Sequence, residues 1–322
     1  MNGYLVISLD FELMWGVQDK RSINDYGKNI EGVHSLVPKL LSIFSKYDIS
    51  VTFATVGFLF LKSKQELKDN CPKLMPTYLD SRLNPYRDSY IDNVDFIERF
   101  HFAPELIDLI IDSGQHEIGS HTFSHYYCLE DGQDINQFSD DLSKFSQIAT
   151  GIGINVKSIV FPRNQVNLDY LNLCSEKGIS CYRGNQESWL YEPRNGHSES
   201  VLRRFLRLVD AYINISGSHT YTLPTLKNHS LLNFPASRFF RPWNSFLPFL
   251  EFLKIRRIKT GMTKAAMKNE VFHLWWHPHN FGVNQTQNLS QLENILDHYL
   301  YLKSKYGYES VTMEGLANKF KL

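Results

Sequence analysis

The hydrophobic pattern of this chain switches between two periods. Short apolar runs at 4–10, 50–56, 116–120, 157–161, 179–182, 271–277 and 308–311 predict strands. Amphipathic stretches at 31–46, 103–113, 134–149, 167–177, 288–305 and 312–319 predict helices. In 31–46, Val33, Leu36, Val37, Leu40, Leu41 and Phe44 recur at helical spacing, while Glu31, Lys39 and Lys46 fall elsewhere on the wheel. Strand and helix alternate as parallel βα units do, which predicts an α/β fold, a distorted (β/α) barrel of about seven strands.

Two stretches break the alternation. Residues 61–100 are charged and punctuated by Pro72, Pro76 and Pro85, and residues 190–265 carry Pro193, Pro224, Pro235, Pro242 and Pro248 among many aromatics. Neither has a core of its own, so the expectation is a single domain over 1–322 with two insertions above one face of the barrel. Within the second, Val201 to Val209 and Phe249 to Lys259 mix leucine and phenylalanine with arginine and lysine. Such a surface suits peripheral association with an anionic membrane, or a diphosphate group, although a solvated helix face is the commoner origin of the pattern.

Composition narrows the classes. With 43% hydrophobic and 21% charged residues, the 322-residue chain reads as a well-packed globular protein. Its 34 basic residues balance 34 acidic ones, which argues against nucleic acid as a partner bound through bulk charge. Cys71, Cys128, Cys174 and Cys181 form no C-x-x-C pair, so neither a disulfide framework nor a thiolate zinc site is expected. The chain reaches a strand-like run at once, without a basic segment and apolar core before it, and no apolar run is long enough to span a bilayer. A cytoplasmic protein is expected, with the inner membrane face as a second location.

In parallel α/β folds functional residues collect at the carboxyl ends of strands. Asp10 and Glu12 close the first run, and residues two apart on a strand point to the same side. His121 and His125 follow the third run; four residues apart, they can present both imidazoles on one side of a helical turn. Pro162-Arg163-Asn164 follows the fourth, and His277-Pro278-His279 closes the run that starts at Val271. Taken singly, a histidine pair is more often surface or capping, an acid at a strand end a cap, and an arginine a salt-bridge partner. Together they describe a divalent metal on mixed nitrogen and oxygen ligands with an open position, a hydrolytic arrangement rather than a structural one.

The order of these elements resembles the polysaccharide deacetylase family, the NodB-homology domains of carbohydrate esterase family 4. Ser8-Leu9-Asp10-Phe11-Glu12 resembles its first motif, His121-Thr122-Phe123-Ser124-His125 fully matches its H-[ST]-x-x-H motif, Val51-Thr52-Phe53-Ala54 echoes its Thr-Phe-Phe strand, and Trp275-Trp276-His277 echoes its closing L-x-H. The chain departs from the family at three places. Glu12 replaces an aspartate, proline precedes Arg163 in the third motif instead of following it, and only a remnant of the fourth survives in Tyr182-Arg183-Gly184-Asn185-Gln186-Glu187-Ser188-Trp189.

The resemblance implies a catalytic domain that removes an N-acyl group, such as acetyl, from an amino sugar in polysaccharide, O-antigen or capsule biosynthesis. It implies Glu12, His121 and His125 as ligands of a divalent metal, zinc above all. Asp10 would be the general base, Arg163 would hold it ionised and oriented, and His277 would be the general acid. Asp10 and Glu12 are exchangeable in this reading, His279 competes with His277, and Arg183 with Glu187 offers a substitute for the missing acid-orienting residues. Tyr126, Tyr127 and Trp189 are candidates to flank the sugar. The substrate expected is an N-acylated sugar or a lipid- or nucleotide-linked glycan. Two other readings remain at this stage: a glycoside hydrolase using Asp10 and Glu12, or a carbohydrate-binding relative without catalysis.

Overall fold

The structure, a computed structural model, describes residues 2–192, 200–222 and 231–320. Among these residues nine strands form one sheet: β1 (Tyr4–Phe11), β2 (Thr52–Thr55), β3 (Glu117–Ser120), β4 (Ser158–Val160), β5 (Cys181–Arg183), β6 (Leu232–Asn233), β7 (Arg238–Phe239), β8 (Val271–Trp276) and β9 (Glu309–Val311). The sheet order is β6-β5-β4-β3-β2-β1-β8-β7, every pair is parallel, and β9 adds to the first half of β1. The two ends of this order are consecutive in the chain. Phe234 N donates to Tyr182 O (2.9 Å) and Ala236 N to Gly184 O (2.8 Å), while Ser237 N reaches His273 O (2.8 Å) and Phe240 N reaches Trp275 O (2.8 Å). The sheet therefore curls until both edges meet in residues 232–240, a barrel-like closure that leaves no long open edge.

Eleven helices among the described residues cover the sheet: α1 (Ile23–Lys46), α2 (Lys64–Asp69), α3 (Asp88–Ile91), α4 (Pro104–Asp112), α5 (Ile135–Gly151), α6 (Leu171–Glu176), α7 (Val201–Tyr212), α8 (Glu251–Lys268), α9 (Pro278–Phe281), α10 (Gln285–Tyr306) and α11 (Met313–Asn318). All seven predicted strands and six predicted helices are present. The first helix begins earlier than its apolar pattern, because Ser22 caps it reciprocally with Asp25 and supports a polar opening turn. The predicted 190–265 stretch supplies α7, most of α8 and the strands β6 and β7; its residues 193–199 and 223–230 lie outside the described residues. The two strands escape a pattern search because each has two residues, with Pro235 between them.

Alternation along each strand sorts residues to the two sides of the curled sheet. From β1, Leu5, Ile7, Leu9 and Phe11 join the large core beneath the helices, whereas Tyr4 and Val6 join a smaller inner cluster with Ala54, Val160, Cys181, Leu232 and Val271. Met313, Leu316 and Ala317 of α11 close the bottom of that cluster. Toward the carboxyl ends of the strands the interior turns polar. Ser8 and Asp10 of β1, Arg183 of β5 and His273 of β8 follow the apolar layer in the same register, and all four are buried. A fully enclosed polar layer is unfavourable unless its groups are paired, and here they pair with one another.

Candidate metal centre

Asp10 is the last inward position of β1, and Glu12 lies one residue past the strand, where the chain enters a short turn, Leu13–Gly16. Trp15 Nε1 anchors that turn on His101 O (2.6 Å). Glu12 Oε2 stands 3.2 Å from His121 Nε2 and 3.0 Å from His125 Nε2, and all three side chains are buried. One ligand atom from each lies within 4.8 Å of the others. His121 Nδ1 sits 2.8 Å from Val160 O. A carbonyl only accepts, so Nδ1 carries the proton and Nε2 presents its lone pair to the centre. His125 Nδ1 lies 3.1 Å from Tyr127 Oη, and burial lowers the pKa of this imidazole, which favours its neutral, ligating form. Two imidazole nitrogens and a carboxylate oxygen fit a zinc-type cation.

The histidines do not share a helical turn as their spacing suggested. Residues 121–125 form a loop after β3 in which Thr122 (φ 63°) and His125 (φ 59°) are left-handed. Its amides are taken by side chains instead of helical carbonyls. Asp141 of α5 accepts Phe123 N (2.7 Å) and Ser124 N (3.1 Å) and also contacts Ser124 Oγ, and Thr122 Oγ1 accepts Tyr126 N (2.6 Å). Side-chain acceptors of this kind compensate the strain of two left-handed non-glycine residues.

Arg163 does not meet Asp10. Its guanidinium binds Asp19 Oδ2 (2.5 Å), approaches Glu130 Oε1 (3.7 Å) and lies 4.1 Å above the Tyr127 ring. The proline that precedes it starts a tight turn in which Arg163 (φ 55°) and Asn164 (φ 53°) are both left-handed, which turns the arginine toward the Asp19 side. Arg183 grips Asp10 instead, Nη1 to Oδ1 at 2.6 Å and Nη2 to Oδ2 at 2.8 Å. Asn164 Oδ1 accepts a further bond from Arg183 Nη2 (2.9 Å), and the Trp275 ring stacks beneath the guanidinium at 4.2 Å. The relay continues inward. Arg183 Nη1 donates to Ser8 Oγ (3.0 Å), Ser8 lies 2.8 Å from His273 Nε2, and His273 Nδ1 lies 3.1 Å from Phe234 O. Burial pushes the His273 pKa down to about 3, so the ring is neutral, with its proton on Nδ1 and Nε2 accepting from Ser8.

Burial alone would raise both acids. The Arg183 charge holds Asp10 below its ordinary value, and His277, first among the lowering influences, holds Glu12 well below its own. His277 Nε2 lies 3.6 Å from both Asp10 Oδ2 and Glu12 Oε1 and is partly exposed. His279 stacks on it at 5.1 Å but is buried, with Nδ1 3.8 Å from Glu12 Oε1 and without a hydrogen-bond partner. Burial pushes its pKa down to about 3. Of the aromatics expected around a sugar, Tyr126 and Tyr127 are buried, the first held by Gln133 and Asp134 and the second against His125; Trp189 is exposed. The Trp275 and Phe239 rings flank His277 at 5.5 and 5.6 Å, and both line a cavity of about 290 Å³ together with Arg163, Arg207, Arg241 and Glu192.

Over residues 24–182 the chain matches the family model for polysaccharide deacetylases. That match contains His121 and His125, while Asp10, Glu12 and His277 lie outside it and are brought to the histidines by the fold. A protein from Mycobacterium smegmatis assigned as a polysaccharide deacetylase superposes with a TM-score of 0.62 at 14% identity, over 98% of this chain and 89% of its own. One from Pseudomonas aeruginosa PAO1, also assigned as a polysaccharide deacetylase, does so at 0.53 and 12%, over 98% and 89%. A 4-alpha-glucanotransferase from Thermococcus litoralis gives 0.53 and 11%, over 99% of this chain and 41% of its own. At such identities these neighbours show a shared fold, a curled parallel sheet wrapped by helices. No curated protein matches the chain. Among the described residues, no helix is long and apolar enough to cross a membrane.

Proposed function

We propose that this protein hydrolyses the N-acyl bond of an amino sugar, acetyl being the simplest acyl group, and that it does so with a divalent cation. The observation that carries the reading is the convergence of Glu12 Oε2 with the Nε2 atoms of His121 and His125, the first imidazole locked in its ligating tautomer by Val160 O. These three residues would hold the cation, and zinc suits them best. When bound, the cation would supply Lewis-acid polarisation of the acyl carbonyl and a more acidic water.

The chain's own residues divide the proton work. Asp10, kept ionised by two bonds from Arg183, accepts a proton from the attacking water. His277 is the partly exposed imidazole of the site, and it delivers a proton to the departing nitrogen. His279, buried beneath it, stands 3.8 Å from Glu12 and closes the site on that side. The family match to polysaccharide deacetylases supports this reaction class over glycoside hydrolysis, because Glu12 is committed to two histidines and Asp10 to an arginine.

The cavity beside His277 would take the remainder of the substrate. Arg207 and Arg241 line it with Glu192, Arg163 being already paired with Asp19, and aromatic faces stand next to the proposed acid. This suits an acyl amino sugar that carries phosphate or diphosphate, as nucleotide- and lipid-linked sugars in cell-surface polysaccharide assembly do. The test is acetate release from free, nucleotide-linked and lipid-linked N-acetyl sugars, with and without a chelator, for the native protein and His121→Ala. Release from at least one substrate that both the chelator and the substitution abolish is expected. Release that survives both would overturn the metal-dependent reading.

A further inference from the structure

Helix α7 is inside out. Its buried positions include Arg203 (5% exposed) and Asp210 (0%), while Leu202 (65%) and Phe205 (57%) face solvent. Polar bonding fixes that orientation. Asp210 accepts from Tyr191 Oη (2.8 Å), Arg238 Nη1 (2.6 Å), Arg257 Nη2 (2.8 Å) and Ser216 N (2.8 Å), and Arg203 bonds to Trp189 O. Arg238 and Ser216 hold the Asp210 carboxyl well below the ordinary aspartate value despite its burial. Breaking such a buried cluster would leave unpaired charges, so α7 is not free to roll its apolar stripe inward.

A second apolar ridge adjoins the first. α7 packs on α8, Tyr212 Oη reaching Glu251 Oε1 (3.4 Å), and the approach to α8 exposes Phe246 (88%) and Phe249 (67%), followed by Phe252 on α8 itself. Surface phenylalanines in such number mark an interaction face rather than scattered exposure. Within the two stretches that carry them, the exposed charges have one sign. Arg204 and Arg256 are exposed, and the only acids in 200–222 and 244–260, Asp210 and Glu251, are buried and paired with Arg238, Arg257 and Lys254.

We propose that α7 and residues 246–252 dock this protein on an anionic lipid surface. The charge pattern selects this occupant over a second copy of the chain. A two-fold interface sets the same patch against itself, which would bring arginine against arginine with no exposed acid from either stretch between them. An anionic bilayer interface accepts the phenylalanines into its acyl boundary and pairs the arginines with headgroups. Docking needs no spanning helix and is independent of the chemistry proposed for the metal centre.

The test is co-sedimentation of the full chain with vesicles of phosphatidylcholine alone and of phosphatidylcholine with phosphatidylglycerol, alongside its oligomeric state by light scattering. The expected result is a monomer that binds the anionic vesicles and is released by salt. Phe205→Ser and Phe249→Ser should each lower the partition coefficient about tenfold or more, the usual consequence of losing one buried phenylalanine. Arg204→Glu with Arg256→Glu should weaken binding to the anionic vesicles alone. These positions are exposed, and Leu202→Ser gives the same reading should either phenylalanine variant lose its fold by circular dichroism. Failure of the native chain to sediment with anionic vesicles overturns the proposal, as does undiminished binding by the phenylalanine variants. A dimer that Phe205→Ser dissociates overturns it in favour of a second copy.

Discussion

Gly16 occupies a position where any side chain would collide with Glu12: a Cβ built on Gly16 overlaps the Oε1, Cδ and Cγ atoms of the carboxylate arm. The Leu13–Gly16 turn folds back under the acid that precedes it, and the missing side chain lets the longer glutamate reach His121 and His125. Gly16→Ala removes no ligand, yet should displace Glu12. The expected outcome is loss of zinc affinity by at least the ten- to hundredfold typical of outer-sphere changes, read by titration calorimetry, with the fold retained. Unchanged affinity would show that Glu12 is not a ligand.

Arg183 makes a testable claim on the ionisation of Asp10. Its guanidinium holds the buried carboxyl below the usual aspartate value. A base must be ionised, so activity falls as pH drops through the Asp10 pKa. Removing the cation raises that pKa, and the acid limb of the kcat/KM profile in Arg183→Met should move to higher pH. Arg183→Lys, which keeps the charge but not the two-pronged grip, should move it less. The methionine variant should also be less stable by about 3–5 kcal/mol, the cost of leaving one partner of a buried pair alone. An acid limb that stays in place would assign the base to another group.

Much of this centre was legible in the sequence through strand alternation, and the illegible part has a physical pattern. Asp10 and His277 lie in register with apolar neighbours that alternate inward and outward, so their convergence follows from period two alone. The same alternation places His273 inside, two residues before Trp275 and four before His277, a signal available in the run from Val271 that the metal motif overshadowed. Arg183 was harder to place, because its strand has three residues and the motif around it is degraded. Asp141 could not have been found: nothing in the α5 pattern reveals that an inward acid there takes two amides of a loop 17 to 18 residues upstream. Polar groups that satisfy a strained loop leave no periodic trace, whereas residues carried by strands do.

Asp141 should leave a mark on stability as a function of pH. Burial raises its pKa from the ordinary 3.8 to about 7, although bonds from Phe123, Ser124 and its hydroxyl pull the other way. The native state therefore keeps this proton across pH 4–7, where the unfolded chain has lost it. The native state binds more protons in that window, so this group's stabilising contribution declines as pH rises through it and levels off above about 7. Asp141→Asn should flatten that slope in denaturant melts taken at several pH values. It should also cost about 1–3 kcal/mol, because an asparagine amide nitrogen cannot accept one of the two loop amides. A pH slope identical to that of the native chain would place the titration elsewhere.

In the proposed reaction the two stacked histidines separate proton donation from enclosure. His277 is partly exposed and within 3.6 Å of both acids, whereas His279 is buried, neutral and 3.8 Å from Glu12. If His277 donates the proton to the leaving nitrogen, His277→Asn should lower kcat by about 10²–10⁴-fold while zinc affinity stays within a few-fold of the native value. His279→Asn should act in the opposite sense. Its ring fills the space behind Glu12, so the substitution admits water beside that carboxylate, weakens zinc binding, and recovers most of its rate at saturating zinc. Rate measurements at saturating zinc, paired with calorimetric titrations of both variants, decide the matter. A large kcat loss confined to His279→Asn would exchange the two roles and make the enclosed imidazole the acid.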